Sequence, residues 1–255
     1  MPSEVWLLGD PVSRSLSPPM QNAAFDAAGI ECRYVLHGVS RADLPKAIAH
    51  LRADRRILGA NVTIPHKESV IPLLDELDPL AAHLGAVNTI SRRDNRLKGW
   101  NTDVEGFRRA LDECGYAVGG RAVAIIGAGG AARAVALALK ERALHLSVIA
   151  RNIGQAQRLC RDLGIEPEAA VDIGQVHETL AQAEVVVNAT PADLPPRSWL
   201  RPDQRVFDLR PRRSIEGRTM LLYQGIASFQ IWTDTKAPVD AMRAALEVAT
   251  VAVPA

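Results

Sequence analysis

The stretch that decides the fold is Ala122-Val-Ala-Ile-Ile-Gly127-Ala-Gly129-Gly130-Ala-Ala132-Arg133. An apolar run, a group of glycines and an alanine-rich run predict strand, tight turn and helix, the order found in dinucleotide-binding folds. Gly127 would permit the turn, Gly129 would let a pyrophosphate approach the backbone, and Ala132 would let helix and strand pack closely. Free N–H groups at the helix start would favour the phosphates. The alternative is a glycine turn in an α/β protein that binds no nucleotide.

The composition is that of an ordinary globular protein. The 255 residues are 47% hydrophobic and 23% charged, with a net charge of +1, which gives no reason to expect a nucleic-acid or membrane partner. The apolar runs are too short to cross a bilayer, and the first residues lack a secretory signal pattern. Cys32, Cys114 and Cys160 lack metal-ligand spacing. We therefore expect a cytoplasmic protein with reduced thiols and no metal.

The N-terminal segment predicts a strand over residues 4–9, followed by a loop that contains Ser15 and Ser17. Two hydroxyls spaced by one residue at a strand end can both bind one small anion. The alternative role for Ser17 is to cap the helix expected over residues 20–28. A second strand is expected over residues 34–39 and a second helix over residues 42–52.

The next strand, over residues 57–63, ends in a proline-containing loop that leads to Lys67. Asn61 and Thr63 are two residues apart and therefore share one face of this strand. Open α/β sheets bind ligands at the carboxyl ends of their strands, where a lysine can donate or accept a proton. The alternative is that Lys67 is a solvated surface residue.

A helix is expected over residues 68–84, followed by a hairpin whose strands flank the polar turn at residues 92–95. This hairpin would bring Asn88 and Asp103 near one place. Asp103 also begins a predicted helix that ends near residue 112, so a helix N-cap is its alternative role.

Five motifs resemble those of the shikimate dehydrogenase family, in the family's order and spacing. They are Gly9-Asp-Pro-Val with Ser15-Leu-Ser17-Pro, Asn61-Val-Thr63-Ile-Pro-His-Lys67, Gly85-Ala-Val-Asn88-Thr, Gly99-Trp-Asn101-Thr-Asp103-Val-Glu-Gly106-Phe, and Gly127-Ala-Gly-Gly-Ala-Ala-Arg133. The resemblance implies two α/β domains: a substrate domain at residues 1–104 plus 217–255, and a Rossmann-type NAD(P)-binding domain at residues 105–216. It also implies an active site in the cleft between them, with closure over the cofactor.

The resemblance also implies a role for each matching residue. Lys67 and Asp103 would form the catalytic pair beside the hydroxyl that is oxidised. The substrate carboxylate would be bound by Ser15, Ser17 and Thr63, the ring hydroxyls by Asn61, Asn88 and Asp103, and the substrate also by Gln224. The cofactor-binding residues would be Gly127, Ala128, Gly129, Gly130, Ala131, Arg151, Asn188, Thr190, Gly217 and Met220.

The second strand of the nucleotide-binding unit ends in Ala150-Arg151-Asn152. An NAD site usually has an acidic residue at this place, and none is present. NADP-specific members of the family carry Asn-Arg-Thr at this place, so Arg151 resembles the arginine that contacts the 2′-phosphate. We expect NADP as cofactor, with NAD as the alternative. The other reading of Arg151 is a surface arginine at a strand end.

The segment after Asp208 departs from the family. Pro211 stands where a tyrosine is expected, a strand-helix insert is missing, and Arg14 replaces a histidine commonly found before the first serine. These differences concern the substrate pocket and the nicotinamide wall, and so bear on substrate identity more than on fold.

The resemblance predicts reversible, NADP-dependent reduction of 3-dehydroshikimate to shikimate, a step of chorismate and aromatic amino acid biosynthesis. Two alternatives remain: a quinate or aminoshikimate dehydrogenase, which could use NAD, and a ligand sensor of the same fold without turnover. We expect a small-molecule substrate and a monomer or homodimer.

Overall fold

The computed structural model describes residues 2–193 and 195–251. The chain divides into two compact units. Unit 1 consists of the residues up to Thr102 together with those from Leu221 onward, and unit 2 of Asp103–Met220. The domain boundaries expected after residues 104 and 216 stay a prediction. The second division lies inside a continuous helix, which a motif-based boundary cannot locate.

Strands and α-helices alternate along most of the described chain. The strands are β1 (Ser3–Gly9), β2 (Cys32–Gly38), β3 (Ile57–Val62), β4 (Glu76–Leu77), β5 (Thr89–Arg93), β6 (Arg96–Trp100), β7 (Ala122–Ile126), β8 (His145–Ala150), β9 (Ala170–Asp172), β10 (Val185–Asn188) and β11 (Arg205–Asp208). The α-helices are α1 (Ser17–Ala27), α2 (Leu44–Ala53), α3 (Pro79–Leu84), α4 (Asp103–Glu113), α5 (Gly130–Leu139), α6 (Ile153–Leu163), α7 (Val176–Gln182), α8 (Ile215–Thr233) and α9 (Val239–Val251).

Unit 1 is built on a mixed sheet with the strand order β2-β1-β3-β5-β6-β4. Strand β1 pairs in parallel with β2 and β3, whereas β5 runs antiparallel to both β3 and β6. Alternation along β1 gives the sheet two apolar faces: Val5 and Leu7 pack with α1, α8 and α9, and Trp6 and Leu8 pack with α2 and α3. The sheet is therefore covered by helices on both faces.

Unit 2 is built on a parallel sheet with the strand order β11-β10-β7-β8-β9. The chain leaves β7 to form β8 on one side and later returns to form β10 on the other. Such a switch point is where doubly wound sheets bind ligands, at the carboxyl ends of the strands. Gly127 directly follows β7 at that edge. This topology confirms the predicted Rossmann-type architecture.

Most of the expected elements form, but the helix expected over residues 68–84 is wrong. The structure has a 3₁₀ turn at Ile71–Leu73, the short strand β4, and α3 beginning only at Pro79. Pro72 and Pro79 lack the N–H groups that a continuous helix needs, so they divide the segment. The hairpin forms as predicted, with Asp94 and Asn95 in its turn at φ values of 47° and 64°. Among the described residues, no helix is long and apolar enough to span a membrane.

Candidate active site

The loops after β1 and β3 lie against each other in unit 1. A Cβ built on Gly9 would overlap Thr63 Cγ2 and would lie 3.0 Å from the carbonyl oxygen of Ile64. The loop after β1 carries Ser15 and Ser17, and the Ser17 N–H donates to Ser15 Oγ at 3.2 Å. Ser17 is the first residue of α1 rather than its cap, which is Leu16. The structure thus brings Gly9, where the loop that carries the two serines begins, next to Thr63.

Lys67 follows these loops and is anchored through its backbone and its neighbour. The Val87 N–H donates to the carbonyl oxygen of Lys67 at 2.7 Å. The fully buried His66 donates from Nε2 to the carbonyl oxygen of Val39 at 2.6 Å, because a carbonyl can only accept. The Lys67 side chain is half-buried. Its position is therefore fixed by contacts to the end of β2 and to the segment that leads into β5.

Asn61, near the end of β3, is 5% exposed, and both the oxygen and the nitrogen of its carboxamide form hydrogen bonds. Its Nδ2 donates to the carbonyl oxygen of Asn88 at 3.0 Å and lies within 3.1 Å of Thr89 Oγ1 and Ser228 Oγ. Its Oδ1 accepts from the Tyr34 hydroxyl at 2.8 Å. Because the Asn88 carbonyl can only accept, this contact fixes which end of the Asn61 carboxamide is Nδ2.

Asn88 is 3% exposed and is oriented in the same way. Its Oδ1 accepts from the Thr102 N–H at 2.8 Å and from Thr89 Oγ1 at 3.0 Å. Its Nδ2 lies 2.9 Å from Thr102 Oγ1 and 3.5 Å from Gln224 Oε1. A backbone N–H can only donate, so the amide nitrogen is the end of Asn88 that can donate to a ligand.

Sequence reasoning missed four side chains of this buried cluster: Tyr34, Thr89, Thr102 and Ser228. Ser228 is fully buried on α8 and lies 2.8 Å from Thr89 Oγ1 and 3.2 Å from Thr102 Oγ1. It also donates to the carbonyl oxygen of Gln224 at 2.9 Å. Its position four residues after Gln224, on the same helix face, was the available signal.

Asp103 is the first residue of unit 2 and of α4, and it is 4% exposed. A carboxylate in the first turn of a helix interacts favourably with the helix dipole. Its sequence neighbour Thr102 belongs to the cluster around Asn88. The helix start expected at Asp103 is therefore confirmed.

The glycine turn of unit 2 has the geometry expected from its sequence. Gly127 has a φ of +117°, which L side chains rarely adopt, and a Cβ there would lie 3.0 Å from Thr190 Cγ2. A Cβ at Gly129 would meet no described atom within 4 Å. In the described part of the chain, no side chain caps α5, and its first turn carries no acidic residue. This helix start fits a phosphate group. Gly130 begins α5, Ala128 and Ala132 are buried, and Ala131 is partly buried.

Arg151 is exposed directly after β8, the strand next to β7. Asn152 accepts from the Gln155 N–H through Oδ1 at 3.3 Å and caps α6. Asn152 stands where NADP-specific members of the family carry threonine, and it performs a capping role for which threonine is also suited.

The loop after β10 forms a tight polar turn. Asn188 Oδ1 accepts from the Thr190 N–H at 3.1 Å and from Thr190 Oγ1 at 2.8 Å. Asn188 Nδ2 donates to the carbonyl oxygen of Ala192 at 3.0 Å. Since Gly127 lies against Thr190, the loops after β7 and β10 meet.

Arg210 forms two ion pairs within unit 2. Its guanidinium is paired with Asp208 at 2.5 Å and with Asp193 at 2.8 Å. The hydrogen bond to Asp208 raises the pKa of Arg210, and the hydrogen bond from Arg210 lowers the pKa of Asp193. A Cβ on Gly217 would lie 2.7–2.8 Å from backbone atoms of Asp208 and Arg210, so this turn packs directly on the start of α8. Met220, on the next turn of α8, is 7% exposed.

No group of three or more His, Cys, Asp or Glu residues in the described ranges could hold a metal ion.

Comparison with known proteins agrees with this arrangement. Residues 7–90 match the shikimate dehydrogenase substrate binding domain, residues 110–197 match the shikimate / quinate 5-dehydrogenase family, and residues 217–247 match the shikimate 5′-dehydrogenase C-terminal domain. A curated relative from Moorella thermoacetica, named shikimate dehydrogenase (NADP(+)), is 43% identical over 93% of this chain and 90% of its own length.

Two solved structures are similar over nearly the whole chain. A shikimate dehydrogenase in complex with NADP+ has a TM-score of 0.83 at 33% identity and covers 97% of this chain and 95% of its own. The enzyme from Thermus thermophilus in complex with NADP(H) and shikimate has a TM-score of 0.82 at 31% identity, with coverage of 97% and 99%. These similarities confirm the resemblance, and the chain belongs to the shikimate dehydrogenase family.

Proposed function

We propose that this chain is an NADP-dependent shikimate dehydrogenase, which reduces 3-dehydroshikimate to shikimate and catalyses the reverse oxidation. The observation that carries the proposal is the hydrogen bond from Val87 N–H to the Lys67 carbonyl oxygen, 2.7 Å long. This bond connects the backbone of Lys67 to Val87, the residue before Asn88. The proposed proton-transferring residue and a proposed hydroxyl-binding residue are therefore held close together by the backbone. The 43% identity to a curated shikimate dehydrogenase (NADP(+)) supports the same function.

Reduction of a ketone requires one hydride at the carbonyl carbon and one proton at the oxygen. The bound nicotinamide would supply the hydride, or accept it in the oxidation. Lys67 donates the proton from its ammonium group to the oxygen and takes it back in the reverse direction. Such acid–base help is worth about 10²- to 10⁴-fold. Asp103 is the second member of the proposed proton-transfer pair.

The remaining candidate residues of unit 1 orient the substrate. Ser15, Ser17 and Thr63 donate to the carboxylate, which suits hydroxyl groups on two adjoining loops. Asn88 donates to a ring hydroxyl through Nδ2, because the bond that its Oδ1 accepts from the Thr102 N–H makes Nδ2 its donor end. Asn61 also binds a ring hydroxyl, and Gln224 is a further substrate-binding residue.

Unit 2 holds the cofactor in this proposal. The start of α5, which no described side chain caps, would hold the pyrophosphate, and Arg151 would bind the 2′-phosphate through its guanidinium. The rest of the cofactor would be bound by the glycine turn, the loop after β10 and the start of α8. The residues concerned are Gly127, Ala128, Gly129, Gly130, Ala131, Asn188, Thr190, Gly217 and Met220.

The proposal also includes the domain roles, the cellular location and the assembly. Unit 1 binds the substrate and unit 2 binds the cofactor. A cytoplasmic location is supported by Cys32, Cys114 and Cys160, all free thiols. The assembly is a monomer or homodimer. No particular observation favours quinate or aminoshikimate as substrate, or a sensor without turnover.

Replacement of Lys67 by alanine tests the proposal against a sensor. We expect kcat to fall by about 10²- to 10⁴-fold, while calorimetry still detects shikimate binding. The matched control is Lys46→Ala, at an exposed lysine of α2, which should leave kcat unchanged. A wild-type protein that binds shikimate without turning it over would support the sensor instead. A Lys67→Ala variant with normal kcat would remove Lys67 from the mechanism.

A further inference from the structure

We propose that Gln21 is a positioning residue of the substrate site, which holds α8 against α1 at the residue that follows Gln224. Gln224 is a proposed substrate-binding residue, and α1 begins at Ser17, which is assigned to the substrate carboxylate. Gln21 thus connects two helices that each carry a substrate-binding side chain. The inference rests on the proposed function and adds a residue that contacts the backbone of the site rather than the substrate.

The contact between the two helices is made by the side chain of Gln21 and the backbone of α8. Gln21 is fully buried, and its Nε2 donates to the carbonyl oxygen of Gly225 at 3.0 Å. A carbonyl can only accept, so this bond fixes which end of the Gln21 carboxamide is the nitrogen. A Cβ on Gly225 would overlap Met20 Cε and would lie 3.1 Å from Gln21 Nε2. The glycine therefore lets α1 pack directly on the backbone of α8.

This contact lies next to substrate-binding residues on both helices. Gln21 comes four residues after Ser17, so both side chains leave α1 on the same face. Gln224 directly precedes Gly225 on α8. A movement of the Gly225 backbone relative to α1 would therefore change the distance between Ser17 and Gln224.

The carboxamide of Gln224 is sensitive to such a movement. Its Oε1 lies 3.5 Å from Asn88 Nδ2, which is the longest distance at which the two groups still interact as a hydrogen bond. Its Nε2 donates one of its two hydrogens to the carbonyl oxygen of Leu221 at 2.7 Å, which leaves the second hydrogen for the substrate. A small displacement of α8 would thus break the contact with Asn88 and misplace a donor to the substrate.

The stability of unit 1 alone does not require a glutamine at position 21. Gly225 lies inside α8, and an α-helix supplies such a carbonyl oxygen with an N–H donor of its own. Gln21 Oε1, by contrast, is buried without a hydrogen-bond partner among the described residues, and an unpaired buried acceptor opposes folding. A methionine has a similar length and no such acceptor. We therefore expect Gln21 to matter for the position of α8 more than for stability.

The Gln21→Met variant tests this by removing the carboxamide while filling the same space. We expect the KM for shikimate to rise about three- to tenfold, as for the loss of one hydrogen bond. The kcat, the KM for NADP+ and the urea unfolding midpoint should stay close to those of the wild type. The matched control is Gln204→Met in unit 2, at a buried glutamine whose Nε2 donates to the carbonyl oxygen of Ala183 at 2.7 Å. Gln204→Met removes the same group and should leave the KM for shikimate unchanged.

A double-mutant cycle separates positioning from a general loss of stability. If Gln21 acts through Gln224, the effects of Gln21→Met and Gln224→Ala on kcat/KM for shikimate will be less than additive in the double variant. Additive effects, or an unchanged KM for shikimate in Gln21→Met, would overturn the inference. Should Gln21→Met fail to fold, Gly225→Ala replaces it, because the added Cβ would push the glutamine away from the carbonyl: a raised KM supports the inference and an unchanged KM overturns it. Wild-type protein without shikimate turnover would refute the proposed function itself, before any variant is compared.

Discussion

Replacement of Gly59 by alanine should destabilise unit 1 strongly. Gly59 lies on β3, two residues before Asn61, and the space over it is already filled. A Cβ there would overlap the carbonyl oxygen of Ile90 and would lie 2.8 Å from Cδ1 and Nε1 of Trp232. The same Nε1 donates to the Ile90 oxygen at 3.0 Å, which ties α8 to β5.

The expected magnitude has two parts. Forcing an extra carbon into a filled core costs about 1–3 kcal/mol, and loss of the hydrogen bond from Trp232 costs about 0.5–1.5 kcal/mol. Together they predict that the free energy of unfolding falls by about 1.5–4.5 kcal/mol. Folded proteins typically have a free energy of unfolding of about 5–15 kcal/mol, so this is a large share of it. Because α8 carries Gln224 and Ser228, the KM for shikimate should rise as well.

Urea unfolding followed by tryptophan fluorescence measures the first effect. The control is Gly38→Ala at the end of β2, where a Cβ would meet no described atom within 4 Å. That change should be neutral or should stabilise by up to about 1 kcal/mol. Equal unfolding midpoints for Gly59→Ala and Gly38→Ala would refute the packing argument.

Three further predictions concern pH, cofactor choice and the turn after β11. Burial lowers the pKa of His37, so the unfolded chain binds a proton there more readily than the folded chain. Stability should therefore fall as the pH drops through the ordinary histidine pKa of about 6.5, and His37→Phe should weaken this slope in urea unfolding measured across that range. Arg151→Ala should raise the KM for NADP+ about 10- to 100-fold, because charge-assisted hydrogen bonds to the 2′-phosphate are lost. The KM for NAD+, which has no 2′-phosphate, should stay unchanged in the same initial-rate assays. Equal changes in KM for both cofactors would show that Arg151 does not bind the 2′-phosphate. Arg210→Met should lower the free energy of unfolding by about 1–3 kcal/mol, because it leaves the partly buried Asp208 without its cation, and adding Asp208→Asn should recover part of the loss in the same assay.

The sequence predicted the parts of the fold that depend on neighbouring residues. The turn at Gly127 and the hairpin turn at Asp94 and Asn95 follow from short-range rules about positive φ. The helix expected over residues 68–84 does not form, because Pro72 and Pro79 interrupt the segment.

The buried polar cluster could not be predicted because its members are distant in sequence. Asn61 contacts Ser228 across 167 positions, and Tyr34 reaches Asn61 across 27. These contacts depend on the sheet register that pairs Asn61 with Thr89, and on the packing of α8 over that face. Similarly, the sequence located a departure in the segment after Asp208, but the pairing of Arg210 with Asp193 depends on how two loops of unit 2 meet.

The most direct test of the proposed function is the initial rate of nicotinamide reduction by the purified wild-type protein. Shikimate and quinate should each be assayed with NADP+ and with NAD+. We expect the highest kcat/KM for shikimate with NADP+. A higher kcat/KM for quinate or for NAD+, or no turnover with any of the four pairs by a folded protein that binds NADP+, would contradict the proposed function.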